Sequence, residues 1–556
     1  MILALTGAPL IIVSIIAFIL IIGIIIVVHE GGHFFFARRA GVLCHEFSIG
    51  MGPVIFKKQF GETTFCLRAI PIGGFVSMAG EELSTDLLKV GDNIGLNFEG
   101  DLVSEIILDK NREALVSGEV VEYDLYGIDG KELFITLNTG INNQYFKVKK
   151  DAFYVFEKDK KLQITPYDRC FESKSIWNRF LALFAGPFMN MVLAIVLYLI
   201  ISFATGVPNY KSNVIGEISS GYPADSVLMA NDQIISVSDG KSTYSVNSWN
   251  EFSDALDNKI YTTSATKLTI KVLRNNEPME FEIDTLINIV PIGISNFSAP
   301  EIKIPDGING VMLGKVAIRY KDSKNEGNIK SGDILTKMYY NGTSKDLSSW
   351  NDIIDVFKNE IHTATDITFD YYSYNEEAKE YTFVSKDDCA VIENYTDEVL
   401  ENQRIEKIQR IIGVSPTTHF SFFECIGAAF KNFWNDFTLI FRTLKLLIAP
   451  SDVRQIGVSD LSSFVGIFGM VKTYIGAGLL AILSFTALLS VNIGVMNLLP
   501  IPALDGGRLV FLLYELVTRK KPSRKVENII NNIFFILLII LFIFVTYNDI
   551  IRLFKN

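Results

Sequence analysis

Residues 10–39 read LIIVSIIAFILIIGIIIVVHEGGHFFFARR, and the organisation of the whole chain follows from them. Residues 10–28 hold no charged side chain over nineteen positions, and a helix of that length can cross about 30 Å of hydrocarbon at about 1.5 Å per residue. The run ends in His29-Glu30-Gly31-Gly32-His33, the pattern H-E-x-x-H. On a helix both histidines share one face and can reach one metal ion, with Glu30 placed to activate water. The stretch predicts a metal site on a membrane helix, the alternative being a helix end whose polar residues only mark the water interface.

Composition limits the class of protein. The chain has 556 residues, 49% of them hydrophobic, and a net charge of −11. These values fit a membrane protein with sizeable soluble parts. Because there is no long basic run, we do not expect nucleic acid to be a partner. The five cysteines occur without CxxC pairing, which argues against a disulfide framework or a cysteine zinc site.

Three further apolar runs, residues 180–203, 476–499 and 529–545, raise the predicted number of spans to about four. The run at residues 476–499 leads into NLLPIPALDGG, where Pro and Gly break the helix and Asp505 is a lone carboxylate near membrane depth. Because a charge there costs roughly 2.5–3.5 kcal/mol, it should be paired or bind something. Asp505 is therefore the predicted third metal ligand. Asn190 lies inside the run at residues 180–203, and it either stabilises helix packing through hydrogen bonds or is a site residue.

The remaining segments are β-rich or amphipathic. Residues 63–81 alternate in hydrophobicity, with Gly73-Gly74 as a turn or kink, and this apolar hairpin either offers a strand edge to an unwound substrate or only packs on the helices. The polar stretch 82–172 predicts a β-rich insert. Within residues 208–435 a strand–helix–hairpin pattern occurs twice, which indicates tandem modules.

Basic residues predict the membrane orientation. Arg38 and Arg39 follow the first span, and Arg519, Lys520 and Lys521 precede the fourth. Because clustered cations mark the cytoplasmic side of spans, both ligand sets are expected near the inner face and the tandem modules outside.

The segments HEGGH, RAIPIGGFVSMAGE, FAGPFMN and NLLPIPALDGGR, in this order, resemble the site-2 protease family of intramembrane zinc metalloproteases. The likeness is to its bacterial regulator-of-sigma-E protease branch, and to Gram-positive members most of all. It implies a polytopic α-helical membrane protein of about four spans, with a membrane-associated β-hairpin, a β-rich cytoplasmic insert and tandem PDZ-like α+β extracytoplasmic domains. We expect the divisions to be 1–39 (first span), 40–81 (hairpin), 82–172 (insert), 173–207 (second span), 208–292 and 293–415 (PDZ-like domains), 416–474 (amphipathic helices), 475–507 (third span) and 508–556 (basic loop and fourth span).

The same resemblance implies roles for individual residues. It makes Zn²⁺ the cofactor, held by His29, His33 and Asp505, with Glu30 as the general base. It assigns substrate binding to Asn497, Asn190, Gly73, Gly74 and Phe75. Judged by ligand type alone, iron or cobalt could occupy the same site.

The implied function is an intramembrane endopeptidase that cleaves transmembrane segments of single-span proteins. Expected substrates are anti-sigma factors or signal-peptide remnants, already trimmed by an upstream site-1-type protease. The expected setting is the bacterial cytoplasmic membrane, with the lipid bilayer as a partner. Two other classes stay open at this point. One is a membrane scaffold that has lost catalysis, and the other is a soluble-type zinc protease anchored by one helix.

Overall fold

The computed structural model describes residues 8–80, 87–109, 112–140, 142–156, 160–256, 267–296, 304–316, 318, 320–321, 327–375, 380–403, 405–448 and 463–555. The chain divides into two compact units. The first comprises Met1–Ile201, Ala429–Phe437 and Ser462–Asn556, and the second comprises Ser202–Ala428 and Thr438–Leu461. The candidate metal ligands all belong to the first unit.

The longest helices are apolar. Four of the described helices are long and apolar enough to cross a membrane, namely Pro9–Arg39, Ile176–Thr205, Leu479–Leu498 and Lys525–Ile551, which confirms the predicted number. The α-helices are α1 (Ala8–Arg39), α2 (Ile176–Thr205), α3 (Trp249–Asp254), α4 (Trp350–Asn359), α5 (Asp397–Gln403), α6 (Phe422–Ile448), α7 (Phe464–Ala477), α8 (Leu479–Leu498), α9 (Asp505–Thr518) and α10 (Arg524–Lys555).

Both units also contain β-strands. In the first unit these are β1 (Cys44–Phe60), β2 (Thr63–Met78), β3 (Asn93–Glu99), β4 (Leu102–Ile107), β5 (Val116–Asp124), β6 (Phe134–Asn138), β7 (Asn143–Val155) and β8 (Lys161–Gln163). In the second unit they are β9 (Val207–Pro208), β10 (Ile215–Ile218), β11 (Gln233–Ser238), β12 (Thr243–Ser245), β13 (Lys267–Arg274), β14 (Glu277–Asp284), β15 (Leu286–Ile289), β16 (Ile294–Asn296), β17 (Val311–Val316), β18 (Ile334–Tyr340), β19 (Thr343–Asp346), β20 (Asp366–Asn375), β21 (Glu380–Val384), β22 (Ile392–Glu393), β23 (Ile408–Ile411), β24 (Val414–Pro416) and β25 (Thr418–His419).

The long helices of the first unit bury one side and leave the other side apolar and exposed. α1 packs against α7 and α8 through a buried cluster that includes Ile25, Val471 and Phe485. Asp549 of α10 caps α7, because its Oδ2 accepts hydrogen bonds from Ser463 N at 2.6 Å and Ser463 Oγ at 2.7 Å. The outward Ile, Leu and Phe side chains of α10 stay exposed, as side chains that face lipid do.

A small sheet follows α1 directly. Residues 46–49 of β1 pair with residues 64–67 of β2 on one side and with residues 74–77 on the other. β2 reaches both sides because it bends at Gly73, whose φ of 71° is a value that glycine adopts without steric cost. The hairpin turn itself lies at Gly61-Glu62, and the outer part of β1 leaves Ile55 and Phe56 exposed. The outer strand of the sheet therefore carries exposed apolar side chains.

The insert between β2 and α2 forms a closed sheet of its own. Its strand order is β4-β3-β5-β6-β7-β8, and β4 also pairs in parallel with β7, so that five strands close a ring. Its interior is apolar, with Leu96 and Ile135 fully buried. Arg169, near the C-terminal end of the insert, donates from Nη2 to Glu62 Oε2 at 2.8 Å. This hydrogen bond lowers the pKa of Glu62 to about 2 and ties the insert to the hairpin turn.

The second unit contains two similar modules. In the first, the sheet β12-β11-β13-β14 packs on α3, and in the second, the sheet β21-β20-β18-β17-β16-β15-β23 packs on α4. Each helix begins after a serine N-cap, Ser248 or Ser349, and its first residue is a buried tryptophan, Trp249 or Trp350. These matching positions support the internal repeat that the sequence pattern indicates.

The two modules are not simply consecutive in the chain. β24 follows the second module in sequence, yet it pairs antiparallel with β10 of the first. Ile412, just before β24, is buried in the core of the first module. The first module therefore includes a strand, β24, that follows the second module in the chain. The expected division at residues 292–293 does not assign this strand to the first module.

Candidate metal centre and active site

The two histidines of the HEGGH motif lie on one face of α1, near its C-terminal end. His29 and His33 are both buried, and their Nε2 atoms are 3.3 Å apart. This is the arrangement expected for i and i+4 positions of a helix. Two imidazole nitrogens are therefore directed at one point.

Asp505 reaches the same point from the other end of the chain. α8 ends at Leu498, and the turn that follows carries Pro500, Pro502 and Ala503 before α9 begins at Asp505 itself. Asp505 Oδ2 lies 3.2 Å from His29 Nε2 and 3.3 Å from His33 Nε2. One ligand atom from each of the three residues lies within 4.8 Å of the others, so these side chains could hold one metal ion.

Glycines after Asp505 permit this turn. A methyl group at Gly506 would lie 2.0 Å from the carbonyl oxygen of Leu499, and one at Gly507 would lie 2.5 Å from that of Ile501. Since real Cβ contacts are never so short, only glycine allows the start of α9 to pack against the chain leaving α8. The L-D-G-G motif is thus a steric requirement for placing the carboxylate.

α2 forms the wall behind the histidines. His33 Nδ1 donates a hydrogen bond to Ala182 O at 2.8 Å, which leaves its Nε2 without a proton and free to bind a metal. A methyl group at Gly186 would lie 2.2 Å from His33 Nε2, and one at Gly32 would lie 2.5 Å from Ala185 O. α1 and α2 therefore approach closely at the ligands. Sequence reasoning missed this role of α2, for which the G-P step in FAGPFMN was the available signal.

Asn190 also lies on α2 and faces the other histidine. Its side chain is fully buried, and its Nδ2 is 3.2 Å from His29 Nδ1. Of the two alternatives from the sequence, helix packing or site residue, the position beside His29 favours the second.

Glu30 lies between the three-residue cluster and the sheet. It is buried, and a methyl group added at Gly74 of β2 would lie 3.0 Å from Glu30 Cγ and 2.7 Å from Ile26 Cγ2. The second half of β2 therefore runs in contact with α1 at Glu30. A carboxylate in this position can exchange a proton with a group held along β2.

The other residues assigned to substrate binding lie on or near β2. Gly73 forms the bend, and Phe75 is 37% exposed, with the Arg68 guanidinium 5.2 Å from the centre of its ring. Arg68 also donates from Nε to Ser48 Oγ at 2.7 Å and thereby ties the two halves of the bent strand to β1. Asn497 lies in the last turn of α8, half-buried, and the described residues show no hydrogen bond from it to the three ligand side chains.

A polar cavity of about 160 Å³ lies in the first unit, with Leu183, Arg508 and Lys521 among its lining residues. Arg179 also lines this cavity, and it donates hydrogen bonds to both carboxylate oxygens of Glu515, at 2.9 and 2.7 Å. Such a bidentate pair joins α2 to α9 at their polar ends. Neither Arg179 nor Glu515 belongs to a motif that marks it in the sequence.

The donors present fit a catalytic zinc site. Such sites combine three nitrogen or oxygen ligands from the protein with one open position, and two imidazoles with one carboxylate match that set. The hydrogen bond from His33 Nδ1 to a backbone carbonyl is the outer contact that zinc-binding histidines make.

Comparisons with known proteins agree with this chemistry. The model of Peptidase family M50 matches residues 17–541. A Staphylococcus aureus (strain N315) relative, whose name describes a zinc metalloprotease, is 30% identical over 98% of this chain and 99% of its own. Zinc metalloprotease RasP of Oceanobacillus iheyensis is 29% identical over 97% of this chain and 99% of its own. Regulator of sigma-W protease RasP of Bacillus subtilis is 26% identical with the same coverage.

The family match covers the second and third spans, most of the first and fourth, the β-rich regions and all the candidate site residues, so the expectation raised by the four motifs is confirmed. The family match and the zinc metalloprotease names support an enzyme in place of the scaffold alternative. The membrane-capable helices make the chain a multi-pass membrane protein. The chain belongs to Peptidase family M50, the site-2 proteases, and is a zinc metalloendopeptidase.

Proposed function

We propose that this protein cleaves the transmembrane segments of single-span membrane proteins, as one step of regulated intramembrane proteolysis. The observation that carries the proposal is the contact between Glu30 and β2 at Gly74, beside the cluster of His29, His33 and Asp505. It puts a proton-transfer group between three potential ligands and a strand, on a helix able to span a membrane.

His29, His33 and Asp505 would hold the zinc, and Glu30 would act as the general base. When bound, zinc polarises a peptide carbonyl and makes water more acidic. Glu30 then takes a proton from water and delivers it to the departing amide nitrogen, since a carboxylate at this position can serve first as base and then as acid. Ala182 O holds His33 in the tautomer that ligation needs.

The substrate would add to the sheet as a further strand. A transmembrane helix hides its peptide groups in its own hydrogen bonds, so it must unwind before cleavage, and its freed backbone groups then need partners within the membrane. Residues 74–77 pair with β1 on one side only among the described strands, which leaves a strand edge beside Glu30. Strand addition there would satisfy the unwound backbone, with Gly73, Gly74, Phe75 and Asn497 contacting substrate.

The two modules of the second unit would act as PDZ-like docking or size-filtering domains outside the cell membrane. A cavity of about 310 Å³ is lined by Tyr222 and Phe252 of the first module and by Arg410 of β23, and it supports a binding role. Basic residues near the spans support a metal site close to the cytoplasmic face. In this arrangement only substrates already shortened by an upstream protease would reach the site, in the bacterial plasma membrane.

The substrate class follows from relatives. Because the Bacillus subtilis relative is named regulator of sigma-W protease, we infer that anti-sigma factors are substrates of this protein. Signal-peptide remnants share the single apolar span and would enter the same way. Zinc is supported by the metalloprotease names and by the donor set.

Cleavage of a tagged single-span substrate in membranes tests the proposal. Wild type should cleave it, while Glu30→Gln, Asp505→Ala and chelator-treated wild type should not. Glu132→Gln, which changes an exposed glutamate of the insert, is the matched control and should cleave normally. Cleavage by Glu30→Gln would remove the proposed base, and failure of wild type on every single-span substrate would overturn the substrate class.

A further inference from the structure

Only one of the two polar atoms of the Asn190 side chain has a hydrogen-bond partner. Its Nδ2 lies 3.2 Å from His29 Nδ1, while its Oδ1 is buried and has no hydrogen-bond partner in the described structure. Buried amide oxygens almost always have a partner, so the oxygen and not the nitrogen is the atom expected next to a donor such as a ring N–H.

The orientation of the amide determines which tautomer His29 can adopt. The nitrogen and oxygen of an Asn amide differ little in shape, and their assignment depends on the hydrogen bonds around them. As placed, Asn190 donates to His29 Nδ1, which leaves the ring proton on Nε2, where it faces Asp505 Oδ2 at 3.2 Å. That tautomer cannot bind a metal through Nε2. With the amide rotated, Oδ1 takes the position next to Nδ1 and accepts its proton, and Nε2 is freed.

The other histidine already has this arrangement. His33 Nδ1 donates to Ala182 O at 2.8 Å, two turns before Asn190 on the same helix. α2 would thus provide one acceptor for each histidine, a backbone carbonyl for His33 and a side-chain amide for His29. Metal-binding histidines usually donate their second N–H to such an acceptor, which sets the tautomer and orients the ring.

The surroundings of Asn190 leave no path to a substrate. Its side chain has no solvent exposure, and its own backbone carbonyl accepts a hydrogen bond from Ser490 Oγ of α8 at 2.7 Å. A methyl group at Gly494 would lie 3.4 Å from Asn190 Cβ, so α8 covers the residue closely. Packed between α1, α2 and α8, Asn190 can reach His29 but not a peptide held along β2.

We propose that Asn190 is a positioning residue, which accepts the Nδ1 proton of His29 when zinc is bound, and that it is not a substrate contact. The inference rests on the proposed ligation of zinc by His29. Loss of such an outer contact weakens metal binding by about 10–100-fold.

Zinc affinity of the purified full-length protein, measured by competition with a chromogenic chelator, tests this role apart from activity. Asn190→Leu keeps a similar volume without an acceptor and should bind zinc about 10–100-fold more weakly than wild type. Asn190→Asp keeps an acceptor and should bind at least as tightly as wild type. Ser490→Ala removes a buried hydrogen bond to the same residue's backbone and should leave zinc affinity unchanged.

The outcomes separate this inference from the proposed function. Wild-type zinc affinity in Asn190→Leu, together with a raised KM, would overturn the positioning role and restore the substrate contact. Asn190→Ala makes the same comparison if the leucine variant does not fold. If His29→Ala binds zinc as tightly as wild type, it is the ligand assignment, and with it the proposed function, that fails.

Discussion

Asp505 Oδ2 lies 3.2 Å from His29 Nε2, although the two residues are 476 positions apart in the chain. The contact depends on close packing of α1, α2 and the start of α9, and in each of these a glycine removes a side chain that would otherwise keep the elements apart. Small residues at helix contacts are a general means of close approach in membranes. The glycines of the site therefore determine its geometry as much as the ligands do.

The two adjacent glycines of HEGGH should respond in opposite ways to alanine. A methyl group at Gly31 meets nothing within 4 Å, whereas one at Gly32 would lie 2.5 Å from Ala185 O. We expect Gly31→Ala to retain activity and gain up to about 1 kcal/mol of helix stability. Gly32→Ala should lose activity by about 100-fold or more, because it moves α2 away from His33. Cleavage rates and thermal unfolding of the two variants measure this, and equal activity would contradict the packing argument.

Removing the metal should destabilise the protein as well as inactivate it. A ligand that binds only the folded state adds about 2.7 kcal/mol when present at 100 times its Kd. We therefore expect chelation to lower the Tm of wild type and added zinc to restore it. Glu30→Gln should show the same Tm shift without activity, because Glu30 is proposed as a base and not as a ligand. Asp505→Ala should show a smaller shift, and a full-sized shift in that variant would contradict its role.

Much of the candidate site could be predicted from the sequence, because strong physical constraints determine which residue types occur at its positions. The four-residue spacing of His29 and His33 places both on one face of a helix. Asp505 stands out because a charge near membrane depth costs free energy unless it is paired or binds something. The contact of His33 with Ala182 O could not be read in this way, since every residue has a carbonyl and only the packing of α1 on α2 selects this one.

The β-rich regions show the same limit. Gly73-Gly74 indicated a turn or kink, but only the pairing register reveals that residues 46–49 lie between the two halves of β2. The tandem modules were indicated by repetition, whereas the return of β24 to the first module depends on long-range pairing that no local pattern records. Asn231, shortly before β11, has a φ of 72°. This left-handed conformation is one that Asn tolerates better than most residues.

The tie between the hairpin turn and the insert should weaken in acid. Arg169 lowers the pKa of Glu62 to about 2, below the value of about 4.3 expected in the unfolded chain. The pair's contribution to stability is therefore full above pH of about 4.3 and declines as the pH falls towards 2. Because Glu62 is partly exposed, we expect Arg169→Leu to cost under about 1 kcal/mol near neutrality. The difference in Tm between wild type and this variant should narrow as the pH falls, and a constant difference would show that the charge of Glu62 is not involved.

Separating the strand from the base should impair catalysis and spare the metal. A methyl group at Gly74 would lie 2.7 Å from Ile26 Cγ2, 2.8 Å from Ser48 O and 3.0 Å from Glu30 Cγ, so Gly74→Ala must push β2 away from α1. A displacement on the order of 1 Å at a catalytic group can cost about 100-fold in rate. We expect kcat/KM to fall by about that factor while zinc affinity, measured by chelator competition, stays at the wild-type value. Gly31→Ala is the control, because Gly31 lies on α1 next to Glu30 and a methyl group there meets nothing within 4 Å. Loss of zinc in Gly74→Ala would mean that the sheet supports the ligands themselves, and an unchanged cleavage rate would mean that substrate does not lie along β2.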